Sequence, residues 1–164
     1  MATFDNSRKA VHEILAQART EARALGSPCV EAEHLLLALA TLTPVPAGQL
    51  LASEGLSHEV ILKTLGLEFE RSLEAVNIRL DGFFLPDSKM PILGELRLAQ
   101  SAKLAIVRAN TARVSRRDKR FDSLHMLLGI VNAKSGTVAR ALAVGGIDRA
   151  ALVVRTLAAL DRAA

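Results

Sequence analysis

The sequence contains one pattern twice, at a constant offset of 91 positions, and this repeat constrains the fold more than any other feature. Residues 33–39 (EHLLLAL) correspond to residues 124–130 (LHMLLGI), so that His125 follows His34 by 91 positions. The same offset relates Val11 to Ala102, Ile14 to Ala105, Ala18 to Ala109, Leu51 to Leu142, Gly55 to Gly146, Leu56 to Ile147 and Leu62 to Val153. A gapless match across two halves predicts two tandem copies of one structural unit.

The composition indicates that this unit is helical. Half of the 164 residues are hydrophobic but only 3% are aromatic, and the abundant Ala, Leu, Arg and Glu are strong helix formers. Runs of β-branched residues of strand length are missing. We therefore predict an all-α fold of two pseudo-symmetric four-helix repeats in one domain, 1–164, with repeat 1 at 7–66, an enlarged linker at 67–95 and repeat 2 at 96–161.

Apolar periodicity, prolines, glycines and capping residues predict the individual helices. They are expected at about 7–25, 32–42, 47–53 and 58–65 in the first repeat, and at 96–115, 124–133, 137–143 and 149–160 in the second. Gly66 is expected to end the fourth helix, Ser123 to cap the sixth and Asp148 to cap the last. One more short helix is expected at 70–80, and the apolar linker is expected to pack against the body, with Phe83 and Phe84 either turned inward or forming an interaction patch.

The chain carries a net charge of +4 and a single cysteine, Cys29, so an intrachain disulfide is impossible. The short polar start does not resemble a signal peptide, and no uninterrupted apolar stretch reaches about 18 residues. We expect a soluble cytoplasmic protein without membrane contact.

Catalytic and cofactor signatures are missing from the sequence. The string from Gly129 to Ser135 lacks the second glycine of a phosphate-binding loop, and the four histidines do not form a His-x-x-x-His pair. The repeat accounts for His34 and His125 without chemistry, and Cys29 lacks a neighbouring base. We expect neither an enzyme nor a cofactor or metal site.

The densest run of basic residues lies at the predicted end of the fifth helix. Within it, Arg113, Arg116, Arg117 and Arg120 form either a solvated helix end or a patch for an anion or an acidic partner. Phe121 is the only aromatic residue there, which argues against stacking on single-stranded nucleic acid.

Residues 30–39 (VEAEHLLLAL) resemble the x-x-Thr-Glu-His-Leu-Leu-Leu-Gly-Leu signature of the Clp N-terminal repeat domain, found on the ClpC, ClpA and ClpB classes of AAA+ unfoldase. Residues 18–26 and 50–56 are similar to the ends of that family's first and third helices, and the second copy repeats the set at 123–130 and 142–147. Since no AAA+ module is present, the resemblance implies a free-standing domain of the kind common in actinobacteria.

In the resembled family this domain binds substrates, adaptors and, in some members, phosphoarginine, and passes clients to the ATPase ring and its peptidase. Glu33 matches the glutamate that would hold a guanidinium, whereas Leu124 replaces the second glutamate, and Arg8 and Ala99 stand at the threonine positions. At most one half-site remains, which argues against phosphoarginine recognition.

The resemblance also implies a partner groove between the two long helices. Its candidate residues are Arg8, Val11, His12, Leu15, Ala99 and Lys103. The leading hypothesis is a non-enzymatic module that captures substrates or adaptors for a Clp ATPase–protease system, or regulates that system. The alternative is a small basic helical protein that binds nucleic acid or a regulator.

Overall fold

The computed structural model describes residues 2–78 and 94–163, with side chains from residue 9 onward. These residues form eight helices, α1 (Ala2–Ala24), α2 (Ala32–Thr41), α3 (Pro46–Ser53), α4 (His58–Ala75), α5 (Gln100–Arg116), α6 (Ser123–Val131), α7 (Thr137–Val144) and α8 (Arg149–Ala163). In the described ranges the only β-type pairing is an isolated bridge between Val30 and Leu98. The predicted all-α fold is confirmed. Phe83 and Phe84 lie outside the described residues.

The two repeats, α1–α4 and α5–α8, are packed on each other reciprocally. Helices α2 and α6 meet at the centre, α3 packs on α6 while α7 packs on α2, and α4 packs on α7 while α8 packs on α3. Such an exchange of contacts is the pattern of a two-fold axis. The two pseudo-symmetric repeats predicted from the 91-residue offset are therefore present.

The core is built around the two central helices. All residues of α6 are buried, as are eight of the ten residues of α2. Aliphatic side chains supply most of this core, and complete burial of one leucine contributes roughly 2 kcal/mol. The outer helices contribute the apolar face predicted from their 3-4 spacing, for example Ile14, Ala18 and Ala22 of α1.

A histidine at the third position completes the N-terminal cap of each central helix. The backbone N–H of Glu31 donates to Nδ1 of His34 at 2.8 Å, and that of Asp122 donates to Nδ1 of His125 at 3.0 Å. Each N-cap carboxylate in turn accepts from the backbone of its histidine, forming a capping box with His in place of the usual Glu or Gln. The two histidines therefore have the same structural role.

The prediction that Ser123 caps α6 is wrong. Asp122 is the N-cap, because its carboxylate accepts from the backbone N–H of Leu124 at 2.8 Å. The hydroxyl of Ser123 instead donates to Asp122 and accepts from the backbone N–H of Ala47 in the other repeat, at 3.2 Å. Asp122 accepts more strongly than a hydroxyl because it is charged.

The predicted end of α4 at Gly66 is also wrong, because the helix continues to Ala75. It ends where Asn77 adopts a left-handed conformation (φ 64°) and Ile78 N–H donates to the carbonyl of Leu73 at 2.9 Å. An isolated helical glycine costs only about 1 kcal/mol, which strong helix formers on both sides and the buried Glu68 offset.

Helix α5 begins at Gln100 rather than at the predicted residue 96. The preceding residues are extended, since Val30 N–H donates to Arg97 O at 2.9 Å and Ala99 N–H donates to Val30 O at 2.8 Å. The extended segment thereby joins the loop before α2 to the start of the second repeat. A contact of this kind, between residues distant in sequence, leaves no local periodic signal.

Helices α5 and α6 approach each other closely. The face of α5 that meets α6 carries the small residues Ala102, Ala105 and Ala109, all fully buried. A Cβ added at Gly129 of α6 would lie 2.7 Å from Ala109 N and closer still to the carbonyl oxygen of Ala105. Any larger residue at position 129 would therefore force α5 and α6 apart.

Among the described residues, no single helix is both long enough and apolar enough to cross a membrane. The pair α2 and α3 reaches that length and composition only together, and the two helices are bent by 87° at their junction.

Candidate functional site

Glu33, the candidate guanidinium ligand, lies in the first turn of α2 and is half-buried. Burial raises the pKa of its carboxyl group, and the neighbouring Glu31 and Glu68 raise it further, whereas Arg140 lowers it. Arg140 directs its Nε to Glu68, at 2.6 Å. Among the described residues no other side chain hydrogen-bonds to Glu33, and the hydrogen bond that its carboxylate accepts from its own backbone N–H lowers the pKa.

The other residues implied by the guanidinium site do not complete it. Leu124 is buried in the core with 1% of its surface exposed, so the second repeat offers no carboxylate at this position. Ala99 is the N-cap of α5 and cannot donate from a side chain. The start of α5 nevertheless lies beside the start of α2, where the Ser101 hydroxyl donates to Glu31 and accepts from Ala32 N–H at 2.9 Å.

We expect Glu33→Gln to raise the free energy of unfolding at neutral pH. The raised pKa means that the folded protein disfavours the charged carboxylate of Glu33. The stability of the wild-type protein therefore declines as the pH rises above the pKa that this carboxyl group has in the unfolded chain. The gain should vanish on acidification below about pH 4, where both states are protonated. Thermal melts across this pH range test the effect, with Glu59→Gln, an exposed residue of α4, as control. Equal melting temperatures at pH 7 would contradict it.

The candidate groove residues lie in two separate places. On α1, Val11 and Leu15 are half-buried and His12 is exposed, while Lys103 is exposed in the first turn of α5. Helices α1 and α5 do not pack directly on each other in the described part of the chain. The side chain of Arg8 falls outside the described residues.

The start of the second repeat instead adjoins the C-terminal half of α1. Arg19 forms an ion pair with Glu95 at 2.8 Å, and Arg23 donates to the carbonyl of Gly94 at 2.9 Å. The described contacts therefore do not bring residues 11–15 and residues 99–103 together.

Two arginines of the predicted anion patch are engaged within the protein. Arg116 pairs with Asp118 and with Asp161 of α8, each at 2.8 Å, and Arg113 donates to the Asp118 carbonyl at 3.2 Å. Asp118 also accepts from Nε2 of His125 at 2.9 Å. The hydrogen bond with His125, together with Arg116, lowers the pKa of Asp118 in spite of its partial burial.

Three other cations, Arg117, Lys119 and Arg120, are exposed and belong to none of the ion pairs among the described residues. We call these three residues the basic end. They line a cavity of about 570 Å³ together with Asp118, Asp122, His125, Leu160 and Ala163. Phe121 is half-buried, with its ring centroid 5.6 Å from that of His125, and is not presented for stacking on a base.

The sequence reasoning missed an apolar surface on α5. Leu104, Val107 and Val114 point outward with 44%, 60% and 56% of their surface exposed, and Thr111 lies on the same face. We call Leu104, Val107, Thr111 and Val114 the α5 outer stripe. The signal was present in the repeat itself, because the positions equivalent to the three aliphatic residues in α1 are Glu13, Ala16 and Arg23.

The described residues contain no cluster of three His, Cys, Asp or Glu side chains arranged to hold a metal ion. Cys29 is half-buried, and burial raises the pKa of its thiol, as does the nearby Glu31, whose Oε1 lies 3.6 Å from Sγ. A raised pKa reduces the thiolate fraction.

Comparison with solved structures identifies relatives of the fold. The N-terminal domain of the caseinolytic protease associated chaperone ClpD from Arabidopsis thaliana matches with a TM-score of 0.65 and 18% identity, over 93% of this chain and 92% of that one. The Hsp104 N-terminal domain from Candida albicans matches at 0.60 and 15% identity, over 90% and 86%. A protein from a malarial protein secretion system matches at 0.56 and 17% identity, over 87% and 86%.

Comparison with family models and with curated proteins gives no match. The relationship is therefore visible in the arrangement of helices, which extends over nearly the full length of both chains in each structural match. At identities of 15–18% it shows the fold alone. The chain has the fold of the N-terminal domains of the Clp-type chaperones ClpD and Hsp104.

Proposed function

We propose that this protein is a non-enzymatic, cytoplasmic protein-binding module that captures substrates or adaptors for a Clp ATPase–protease system, or regulates that system. The observation that carries the proposal is the match to the ClpD N-terminal domain over 92% of that domain. The paired central helices and their capping boxes thus belong to a fold that chaperones place at their N-terminus.

The distribution of charged groups supports binding rather than catalysis. Two pairs of buried or half-buried titratable groups have structural roles, Glu21 with His58 at 2.9 Å and Asp118 with His125 at 2.9 Å. Burial alone would raise the pKa of Glu21, but the hydrogen bonds from His58, Gln17 and Thr41 lower it. Groups that are already satisfied hold the fold together and are not free for proton transfer.

The test is affinity capture from a lysate of the native host, with the whole chain as bait and mass spectrometry as readout. We expect specific recovery of a Clp ATPase, its peptidase or an adaptor of that system, relative to a bait of equal size and charge. Adding the protein to the recovered ATPase–peptidase should then change the rate at which an unfolded model substrate is degraded. The proposal would be contradicted if no such component were captured and the degradation rate did not change.

The same capture experiment distinguishes the alternative of nucleic-acid binding. That alternative would be favoured by co-purifying nucleic acid whose binding declines steeply with salt, because phosphate contacts release counterions. The position of Phe121 against His125 weighs against it, since the basic end then lacks an aromatic platform.

A further inference from the structure

Helix α5 and its counterpart α1 differ in where their large aliphatic side chains lie. The buried face of α5 carries the small residues Ala102, Ala105 and Ala109, whereas the large aliphatic residues Leu104, Val107 and Val114 face solvent and Ile106 is half-buried against the core. Burial favours large apolar side chains, each contributing roughly 1.5–3 kcal/mol when fully removed from water. The close crossing at Gly129 explains the small residues inside but not the large ones outside.

The first repeat serves as an internal reference for what the fold requires at these positions. The α1 residues equivalent to Leu104, Val107, Thr111 and Val114 are Glu13, Ala16, Thr20 and Arg23, which are all exposed and mostly polar. The residues equivalent to the basic end are Gly26, Pro28 and Cys29, which carry no positive charge. Both the aliphatic residues and the cations are therefore particular to the second repeat.

The α5 outer stripe leads directly into the basic end. Successive members are three or four residues apart, which places them next to one another along one side of the helix, and Arg117 follows Val114 by the same spacing. From Leu104 to Val114 the stripe extends about 15 Å. Helix α5 contains no acidic residue, and its exposed cation is Lys103, because Arg108, Arg113 and Arg116 bond within the protein.

We propose that the α5 outer stripe and the basic end form one docking surface for an acidic amphipathic helix of a partner protein. This inference rests on the proposed function and specifies the chemistry of the partner. The partner's apolar residues, spaced three and four apart, would cover Leu104, Val107 and Val114. Its carboxylates would lie against Lys103 on the flank and against the basic end at the cavity. The absence of acidic residues from α5 selects an acidic partner over a basic one.

The test uses the whole chain and a fluorescent peptide of about 18 residues, long enough to form a helix, with leucines at 3-4 spacing and glutamate at most other positions. A second peptide carries lysine in place of glutamate, and a third carries the leucines in scrambled order. We expect the acidic amphipathic peptide alone to bind, as measured by fluorescence anisotropy. Amide shifts in the ¹⁵N spectrum should then change along α5 and at residues 117–120.

Two variants separate the apolar and the ionic parts of the surface. Leu104→Glu combined with Val107→Ala installs the residues of the first repeat and should weaken binding about tenfold. Arg117→Gly combined with Lys119→Ser and Arg120→Ser should weaken it by a similar factor and reduce its dependence on salt. Glycine suits position 117, where φ is 61°. The controls are Val154→Glu on α8 and Lys63→Ser with Lys134→Ser, all exposed and distant from α5 in sequence.

Equal binding of the acidic and lysine peptides, or shift changes confined to other helices, would overturn the inference. So would a dimer in sedimentation experiments that Leu104→Glu converts to monomer, because the occupant of the stripe would then be a second copy. If Leu104→Glu with Val107→Ala leaves the peptide affinity unchanged while a Clp component is still captured, the inference fails and the proposed function stands. If no Clp component is captured but the peptide binds as expected, the proposed function fails and the inference about the docking surface stands.

Discussion

Gly129→Ala is expected to lower the free energy of unfolding by about 2–3 kcal/mol, because the added methyl group meets backbone rather than a movable side chain. It would approach the carbonyl oxygen of Ala105 and lie 2.7 Å from the nitrogen of Ala109, so α5 must move away from α6. For a chain of 164 residues this corresponds to a fall in melting temperature of roughly 5–10 °C. Differential scanning calorimetry measures both quantities.

A matched control is available in the same chain. Gly66 also lies inside a helix, but a Cβ there would meet nothing within 4 Å. Gly66→Ala should therefore stabilise the protein by about 0.5–1 kcal/mol through helix propensity. A Gly129→Ala variant that melts at or above the wild-type temperature would show that the crossing of α5 and α6 is looser than described.

His125→Ala is expected to destabilise the protein by about 3 kcal/mol, since it creates a cavity and removes two polar contacts. His125 is 2% exposed, and its ring joins the backbone of Asp122 to the carboxylate of Asp118. His125→Gln should recover part of this loss, because glutamine at the same position can complete a capping box. Denaturant unfolding monitored by circular dichroism measures the three free energies.

The pH dependence of the free energy of unfolding distinguishes the contribution of the His125–Asp118 hydrogen bond from a simple loss of packing. Because the pKa of Asp118 is lowered in the folded protein, its hydrogen bonds stabilise the fold at any pH above the ordinary pKa of an aspartate. This stabilisation is lost as the pH falls through the lower pKa of the folded state. The difference between wild type and His125→Ala should therefore narrow below about pH 4. A constant difference down to pH 2 would show that the hydrogen bond from His125 to the Asp118 carboxylate adds nothing to stability. His34→Ala provides the comparison, since His34 lacks an equivalent of Asp118.

The fold could be predicted because the repeat and the helix periodicity are both local or self-similar properties of the sequence. The errors arose where distant residues decide the outcome. Residues 96–99 follow the pattern of a helix, but their backbone pairs with Val30. Gly66 is a residue type typical of helix ends, but α4 continues past it to Glu68, whose carboxylate binds Arg140. Sequence spacing carries no information on such partners.

The candidate site was predictable only in part. Arg117 and Arg120 are exposed as an anion patch requires, but Arg113 and Arg116 are bound to Asp118 and Asp161, the latter 45 positions from Arg116 along the chain. The α5 outer stripe was not predicted, because the spacing of residues within α5 does not by itself show which face of the helix is buried. The buried Ala102, Ala105 and Ala109 show which face of the helix points inward.

The reciprocal packing of the two repeats has a consequence for how this surface could arise. In a symmetric dimer of identical chains every substitution appears twice. A helix with an exposed apolar and basic surface would then occur on both subunits and would favour self-association. Joining the two units in one chain removes that restriction. The outer face of α1 can then stay polar while that of α5 becomes apolar and basic, and the contrasts between Glu13 and Leu104 and between Gly26 and Arg117 show that the two faces differ in this way.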